Sequence, residues 1–363
     1  MKKLHIALAI AGALTGTAYA ETTVDIYGVV DMGFVRETGT VAGLTNGTGG
    51  AILPAGNKLS SGAQSGTRLG FRGSEDLGGG LKALFVLETG IAADAGGFNQ
   101  GNVAFARQSF VGVRGNFGTV TLGRQYTSYF LSLSQIADPF AAGLAGNAQN
   151  LMLPPGVPAG TPAATDPATV SAEPDRAIRM NNAIKYATTM WNGLSGEIAY
   201  GFGETTNGSQ PNRVLTASVT YSADPLNVSL AAYHKNNRTD TDKMQSVLLA
   251  ANYNFGVAKV FAAYADNDWF VAKSRDFLIG ATVPVGPHTF IASYIHKTGR
   301  GVTDGSDANQ WALGYTYTLS KRTNLYAAYG HINNDGAAKY TVGNNSENGT
   351  SDTAFNLGVR HTF

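Results

Sequence analysis

Basic side chains recur at positions that strand alternation places on one polar face of the chain. They are Arg68, Arg72, Lys82, Arg179 and Lys185, with the carboxylate of Glu88 on the same face. Leu69 and Phe71 would point to the opposite side from Arg68, because successive side chains of a strand alternate. Fixed charges on a polar surface attract or repel passing ions without breaking bonds. The chemistry to expect is electrostatic selection of ions.

Residues that could make or break bonds show no matching pattern. No Gly-x-Ser-x-Gly segment occurs and no histidine has an obvious nucleophile as its partner, so a barrel hydrolase is a weakly supported alternative. The glycine run before Lys82 lacks the Ser or Thr that follows the lysine of a phosphate loop. Ligand spacing is missing from the mature histidines, which are His234, His288, His296, His331 and His361. We expect no catalytic residue, no metal and no cofactor.

The N-terminal segment has the pattern of a secretory signal peptide over residues 1–20. Lys2 and Lys3 form a basic start, residues 6–14 are apolar, and Ala18-Tyr19-Ala20 is a small-x-small cleavage site. The alternative, a membrane anchor, is disfavoured because the apolar run is too short to span a bilayer. The mature chain is expected to begin at Glu21 and to be exported through the Sec pathway.

Composition excludes several classes of protein. The mature chain would have 363 − 20 = 343 residues and no cysteine, so no disulfide can stabilise it. Removing Lys2 and Lys3 leaves 26 − 2 = 24 basic against 25 acidic side chains, a balance that argues against a nucleic-acid partner. A secreted soluble β protein and an outer-membrane barrel both remain open, because alternating lipid-facing and lumen-facing residues cancel in mean hydropathy.

Period-two alternation runs through the whole mature chain. In the last strand, Phe355, Leu357, Val359, His361 and Phe363 share one face, with polar or small residues on the other. Similar apolar faces begin at Val24, Val247, Phe277 and Trp311. A soluble β-sandwich or propeller is the alternative, but no internal repeat occurs and so many one-sided aromatic faces would aggregate in water.

Connections between these strands alternate between short turns and long polar loops. Counting strands between them predicts an all-β transmembrane antiparallel barrel of 16 strands over residues 21–363, with short periplasmic turns and long extracellular loops. One connection, residues 125–178, is far longer than the rest, and its Pro-rich stretch over residues 153–174 cannot form regular structure. Such a loop could fold into the lumen and narrow it.

If the chain forms a barrel, the polar face of each strand lines the lumen. Outward Ile184 and Tyr186 place Lys185 inside, and the same reasoning applies to Lys82 and Glu88 on an earlier strand. A lipid-facing Arg or Lys near the bilayer midplane costs about 2–4 kcal/mol, which favours the inward placement. Arg107 is ambiguous by this test, because it shares parity with the apolar Val111.

Motifs along the mature chain resemble the sixteen-stranded trimeric general porins of Gram-negative outer membranes, betaproteobacterial ones especially. The matching segments are Val24-Asp25-Ile26-Tyr27-Gly28-Val29-Val30-Asp31, Ser65 to Ala83, Gly115 to Tyr126, Tyr253-Asn254-Phe255-Gly256, Leu319-Ser320-Lys321-Arg322-Thr323 and Gly358-Val359-Arg360-His361-Thr362-Phe363. Two features depart from the family pattern: the Pro-rich stretch, and His361 where a larger apolar residue is usual.

The resemblance implies a third loop folded inward opposite a basic wall. It matches Arg68, Arg107 and Arg179 to the constriction arginines and Glu88 to a wall carboxylate, with a bulge shifting the phase of Arg107. Asp138 would be the only loop acid between residues 125 and 165. The implied partners are lipid and lipopolysaccharide of the outer membrane, a homotrimer, and the barrel-insertion machinery, which would read Phe363.

The function expected from these features is passive diffusion of small hydrophilic solutes and ions through a water-filled channel. Because several arginines face a single loop acid, a weak preference for anions is expected. A substrate-specific porin of the same fold is the main alternative. An adhesin or structural barrel with a plugged lumen is another, which conductance measurements would exclude.

Overall fold

The computed structural model describes residues 22–39, 56–153, 177–203, 212–237, 240–269, 272–342 and 348–363. The predicted signal peptide and nearly all of the Pro-rich stretch lie outside these residues. The strand segments are β1 (Thr23–Thr38), β2 (Gly56–Ser61), β3 (Arg68–Gly78), β4 (Leu81–Ala92), β5 (Gly97–Phe98), β6 (Gln108–Gly115), β7 (Gly118–Tyr126), β8 (Arg179–Ala187), β9 (Leu194–Gly201), β10 (Val214–Ala223), β11 (Leu226–Asn236), β12 (Lys243–Asn254), β13 (Lys259–Trp269), β14 (Ala272–Val285), β15 (His288–Arg300), β16 (Ala308–Thr318), β17 (Thr323–Asn334) and β18 (Asp352–Thr362).

These segments form one closed antiparallel barrel of sixteen staves across the described residues. β2 and β3 occupy a single stave, because β1 pairs with β2 through its second half and with β3 through its first half. β5 pairs only with β4, outside the barrel wall. Closure comes from β1 pairing with β18, from Val29↔Thr362 to Thr38↔Thr353. The predicted strand number is confirmed, and closure leaves no unpaired sheet edge.

Connections of two to six residues join the strands at one rim, where the described termini also lie. β3 and β4 are separated only by Gly79 and Gly80, and β10 and β11 only by Asp224 and Pro225. The opposite rim carries the long connections, with two exceptions, since only residues 270–271 separate β13 from β14 and only residues 237–242 separate β11 from β12. Short helical segments are Asn99–Asn102, Ser128–Ser132, Gln149–Met152, the π-helical turn Leu133–Ala137 and the 3-10 turn Gly301–Thr303.

Strand β12 shows how alternation divides the two faces of the wall. Val247 and Leu249 are each 49% exposed on the outside, while Leu248 between them is fully buried on the inside. The expectation of an outward apolar face is met, but an entirely polar lumen is not, because Leu248 and Ala250 face inward. No helix in the described part of the chain is long and apolar enough to cross a membrane.

Candidate functional site

The described part of the connection between β7 and β8 folds into the barrel and packs against its inner face. We call the whole connection the inward loop; it comprises residues 127–178, of which 127–153 and 177–178 are described. β7 extends through Gln125 and Tyr126, so the loop begins two residues later than the predicted 125. Its buried Tyr129, Leu133 and Leu151 share an apolar cluster with inward side chains of the wall, which are Leu248, Leu278, Ile295 and Ile332.

Hydrogen bonds fix the described part of the loop at several points. Near its start, Ser132 Oγ lies 2.9 Å from Ser229 Oγ on β11. Further along, the side chain of Gln310 donates to the carbonyls of Gly146 and Asn147 at 3.1 and 3.3 Å. Just before these two residues, the Leu144 amide donates to Ala63 O at 2.6 Å, which joins the loop to the segment between β2 and β3. The described part of the loop is therefore held at separate places along its path.

Three wall glycines make room for this path: Gly280 faces Pro139, Gly314 faces Phe140 and Gly330 faces Ala145. A Cβ at Gly330 on β17 would lie 2.5 Å from the carbonyl oxygen of Ala145, and one at Gly314 on β16 would lie 2.6 Å from the Phe140 ring. Backbone atoms cannot yield as a flexible side chain can, so Gly330 is the more demanding of these two contacts. The sequence did not predict these contacts. A glycine within a strand can indicate that another segment approaches closely, but it does not show which segment that is.

Asp138 lies in the inward loop, as predicted, but it does not line the passage. It is 3% exposed, and its carboxylate accepts hydrogen bonds from the amides of Phe140, Ala142 and Ala148 at 2.9, 2.9 and 3.0 Å. Burial raises the pKa of Asp138 to about 6, against the lowering effect of these bonds. Its predicted place among the pore charges is corrected, because the carboxylate is used to shape the loop itself.

A cluster of charged side chains lies on the wall that the described loop does not cover, which we call the open wall; within it Glu88 is only 4% exposed and the Arg107 side chain 11%. Glu88 on β4 is its centre: Arg107 Nε is 2.8 Å from Oε1, Arg68 Nε is 3.6 Å from Oε2, and the Tyr27 hydroxyl donates to Oε2 at 3.0 Å. The registers of β1, β3 and β4 place Tyr27 and Glu88 opposite Gly70 on the same face. One carboxylate, that of Glu88, is therefore shared by two guanidinium groups.

Arg179 joins this cluster through Tyr126. The Tyr126 hydroxyl accepts from Arg107 Nη2 at 2.8 Å and from Arg179 Nη2 at 3.2 Å. The Arg179 guanidinium also lies 4.8 Å from the Tyr126 ring centre, a cation–π distance. A neutral oxygen thus holds two like charges near each other. Tyr126 lies within a segment that resembles the family, but nothing in the sequence marked it as a partner of two arginines.

Arg107 reaches the inner side for a reason different from the predicted bulge. It precedes Gln108, the first residue of β6, so strand alternation does not fix its direction. Its amide donates to Glu88 O at 3.1 Å, which holds the backbone beside β4. The register between β4 and β6 runs without interruption, whereas a shift occurs on β7 between Gly123 and Gln125.

The other predicted basic residues lie apart from the cluster. Arg72 pairs with Asp25 at 3.1 Å, and it is four residues, about 13 Å, from Arg68 along β3. Lys82 lies beside the β3–β4 turn, 3.7 Å from Asp76, and is half exposed. Lys185 Nζ is bound 2.9 Å from Glu197, whose Oε1 also accepts from Ser128 of the inward loop at 2.7 Å.

Sequence reasoning also missed an ion pair on the covered wall. Lys297 Nζ lies 2.8 Å from Asp276 Oδ1, and both side chains are at most 1% exposed. The Trp269 ring lies 4.6 Å from the same ammonium, and Asn267 donates to Asp276 Oδ2 at 2.8 Å. Alternation places Lys297 and Asp276 inward, but their separation of 21 positions along the chain gives no sign that they meet.

Comparison with known proteins identifies the architecture. A family model described as Gram-negative porin matches residues 7–337. The chain belongs to this porin family. Outer membrane porin protein 32 of Delftia acidovorans is 33% identical, covering 100% of both chains. Among solved structures, an anion-selective porin from Comamonas acidovorans has a TM-score of 0.77 at 29% identity, covering 94% of this chain and 100% of that one. OmpT of Vibrio cholerae, in a trimer form, is alike in fold alone, with a TM-score of 0.63, 16% identity and coverage of 94% of this chain and 99% of that one.

This porin is an outer-membrane channel, so its two rims can be named. The short-turn rim is periplasmic and the long-loop rim is extracellular. Aromatic pairs lie near both: Tyr200 and Phe202 are 4.9 Å apart at the extracellular end of β9, and Tyr253 and Phe255 are 4.6 Å apart at the periplasmic end of β12. Such rings are typical of the interfaces between lipid and water. Arg179 directly follows the inward loop in the chain, so the arginine cluster lies beside that loop.

Proposed function

We propose that the porin is a passive channel for small hydrophilic solutes with a weak preference for anions. The observation that carries this proposal is the charge of the open wall, where Arg68, Arg107 and Arg179 surround the single carboxylate of Glu88, a formal sum of 3 − 1 = +2. The described part of the inward loop adds only one acid, Asp138, whose carboxylate is buried. Fixed charges at a constriction set ion selectivity, and salt screens them, so the preference is weak.

Passive diffusion needs no chemical step from the protein. Barrel closure satisfies the hydrogen-bonding groups of the backbone within the wall. The related porin from Comamonas acidovorans is anion-selective, which supports the same direction of selectivity for this chain. We assign no catalytic residue to this porin.

The test is the reversal potential of single channels in a planar bilayer with a potassium chloride gradient. The wild type is expected to favour chloride, and the double variant Arg107→Gln with Arg179→Gln to lose that preference. Lys321→Gln is the control, because Lys321 is an exposed lysine in a periplasmic turn. Clear cation selectivity of the wild type would overturn the proposal, and absence of conductance would favour a plugged barrel.

We further propose a homotrimer in contact with outer-membrane lipid and lipopolysaccharide. The C-terminal Phe363 pairs with Gly28 of β1, N to O at 3.2 Å and O to N at 3.3 Å, so it lies at the seam that closes the barrel. Recognition of Phe363 by the insertion machinery would precede that closure. Deleting Phe363 is expected to lower the amount of heat-resistant trimer in outer membranes. Unchanged trimer would refute the role of Phe363.

A further inference from the structure

A half-open cavity of about 460 Å³ lies on the periplasmic side of the inward loop. Its roof is the helical turn of the loop, including Ser132, Gln135 and Ile136, and its walls are the inner faces of β9 to β12 near their periplasmic turns. The roof is fixed to the wall, because Asn252 Nδ2 donates to Ile136 O at 2.8 Å. Because this hydrogen bond holds the loop against the wall, the cavity has a defined size.

Hydroxyl-bearing residues make up six of the fifteen residues that line it. Ser195 on β9 and Ser218 and Ser222 on β10 are inward residues whose side chains make no hydrogen bond within the part of the chain that the structure describes. The register sets Ser218 opposite Glu197 and Ser195 opposite Thr220, so these groups lie on neighbouring strands about 5 Å apart. Each hydroxyl can both donate and accept.

The charges around this cavity are few and largely paired. Glu197 Oε1 accepts from Lys185 at 2.9 Å and from Ser128 at 2.7 Å. Lys259 lies at the periplasmic end, with its ammonium 5.1 Å from the Phe261 ring. The described lining residues include no arginine. Beyond the Lys185–Glu197 pair, Lys259 is the one charged group among the described lining residues, whereas a neutral solute rich in hydroxyl groups finds donors and acceptors along the wall.

We propose that this cavity is a low-affinity subsite for neutral polyhydroxylated solutes, that is, short sugars and polyols. The inference rests on the proposed channel function and names a second class of solute for it. The arginine cluster acts on ions and gives no advantage to a neutral molecule. Hydroxyls that replace the solute's water hydrogen bonds would retain such a molecule briefly on the periplasmic side of the loop.

The test uses sucrose as the probe in single-channel recordings. The wild type is expected to show a current reduction that saturates with sucrose added on the periplasmic side. Polyethylene glycol of similar size should reduce the current only in proportion to solution viscosity. In the triple variant Ser195→Ala, Ser218→Ala and Ser222→Ala, half-saturation should need about fivefold or more sucrose, the effect of losing one net hydrogen bond or more.

Ser74→Ala is the matched control, since Ser74 shares the inner face of β3 with Arg72 on the opposite wall and lies outside the cavity. It should leave the sucrose response unchanged. A wild-type response that never saturates, or saturation unaltered in the triple variant, would overturn the subsite. The reversal potential measured in the same membranes separates the two proposals, because the serine variants should keep the wild-type value whether or not sucrose binds.

Discussion

The two inner walls of this barrel follow the same strand alternation but have opposite chemistry. On β12 and β14, inward Leu248 and Leu278 are fully buried beneath the inward loop. On β3 and β4, inward Arg68 and Glu88 belong to a cluster of charges. The difference teaches that parity decides which side chains face inward, whereas the loop decides which of them pack into an apolar cluster. The covered part of the lumen wall has become a protein core.

The largest expected effect is on the covered wall, at the ion pair of Lys297 and Asp276. Lys297→Met should lower the free energy of unfolding by about 3–5 kcal/mol, because it leaves a buried carboxylate without its partner. The double variant Lys297→Met with Asp276→Leu should recover most of that loss. Urea unfolding in lipid vesicles, followed by tryptophan fluorescence, measures both. A single variant as stable as the wild type would show that this wall is not a core.

Asp138 should give the covered wall a pH dependence. Its folded pKa of about 6 lies above the ordinary value of 3.8, so the folded protein keeps a proton that the unfolded chain releases. The free energy of unfolding should therefore fall as the pH rises from about 4 to about 6, by about 3 kcal/mol, and level off above that. Asp138→Asn should flatten this change. Melting temperatures across that pH range provide the measurement, and equal slopes in the two proteins would contradict it.

The third prediction concerns the close packing of the inward loop against the wall at Gly330. Gly330→Ala should destabilise the barrel by about 1–3 kcal/mol, since the added methyl group meets the Ala145 carbonyl. The conductance should change as well, because the loop must shift. Gly196→Ala is the control: its nearest neighbours, Thr188 and Ser218, would be at 3.7 and 3.8 Å. Equal conductance and stability in the two variants would mean that the loop does not depend on the close packing at Gly330.

The smallest expected effect is on the open wall. Tyr126→Phe removes the oxygen shared by Arg107 and Arg179, and should weaken the anion preference only in part, because both guanidinium charges remain, while lowering stability by about 1 kcal/mol. Tyr27→Phe is the control, because it removes a donor to Glu88 instead. Reversal potentials of the two variants should differ. Identical values would mean that Tyr126 does not position the arginines.

The sequence was sufficient for the barrel and for the direction of most side chains, since both follow from alternation and turn spacing. It could not say which inward residues the loop would cover, so the apolar cluster that Leu248 forms with the loop was not predicted. The role of Asp138 was missed because three backbone amides bind it, and amides leave no trace in residue types. Arg107 escaped the parity rule because it lies just outside its strand.

The contact between Leu144 and Ala63 has a mechanical consequence. A loop that is bonded to the wall at one place can swing about that place. A loop that is bonded at separate places can only bend between them, and larger forces are needed to displace it. The inward loop is bonded to the wall at Ser229 through Ser132, and again at Ala63 through Leu144. Ionic current through this porin should accordingly be steady in time, with little flicker between sublevels.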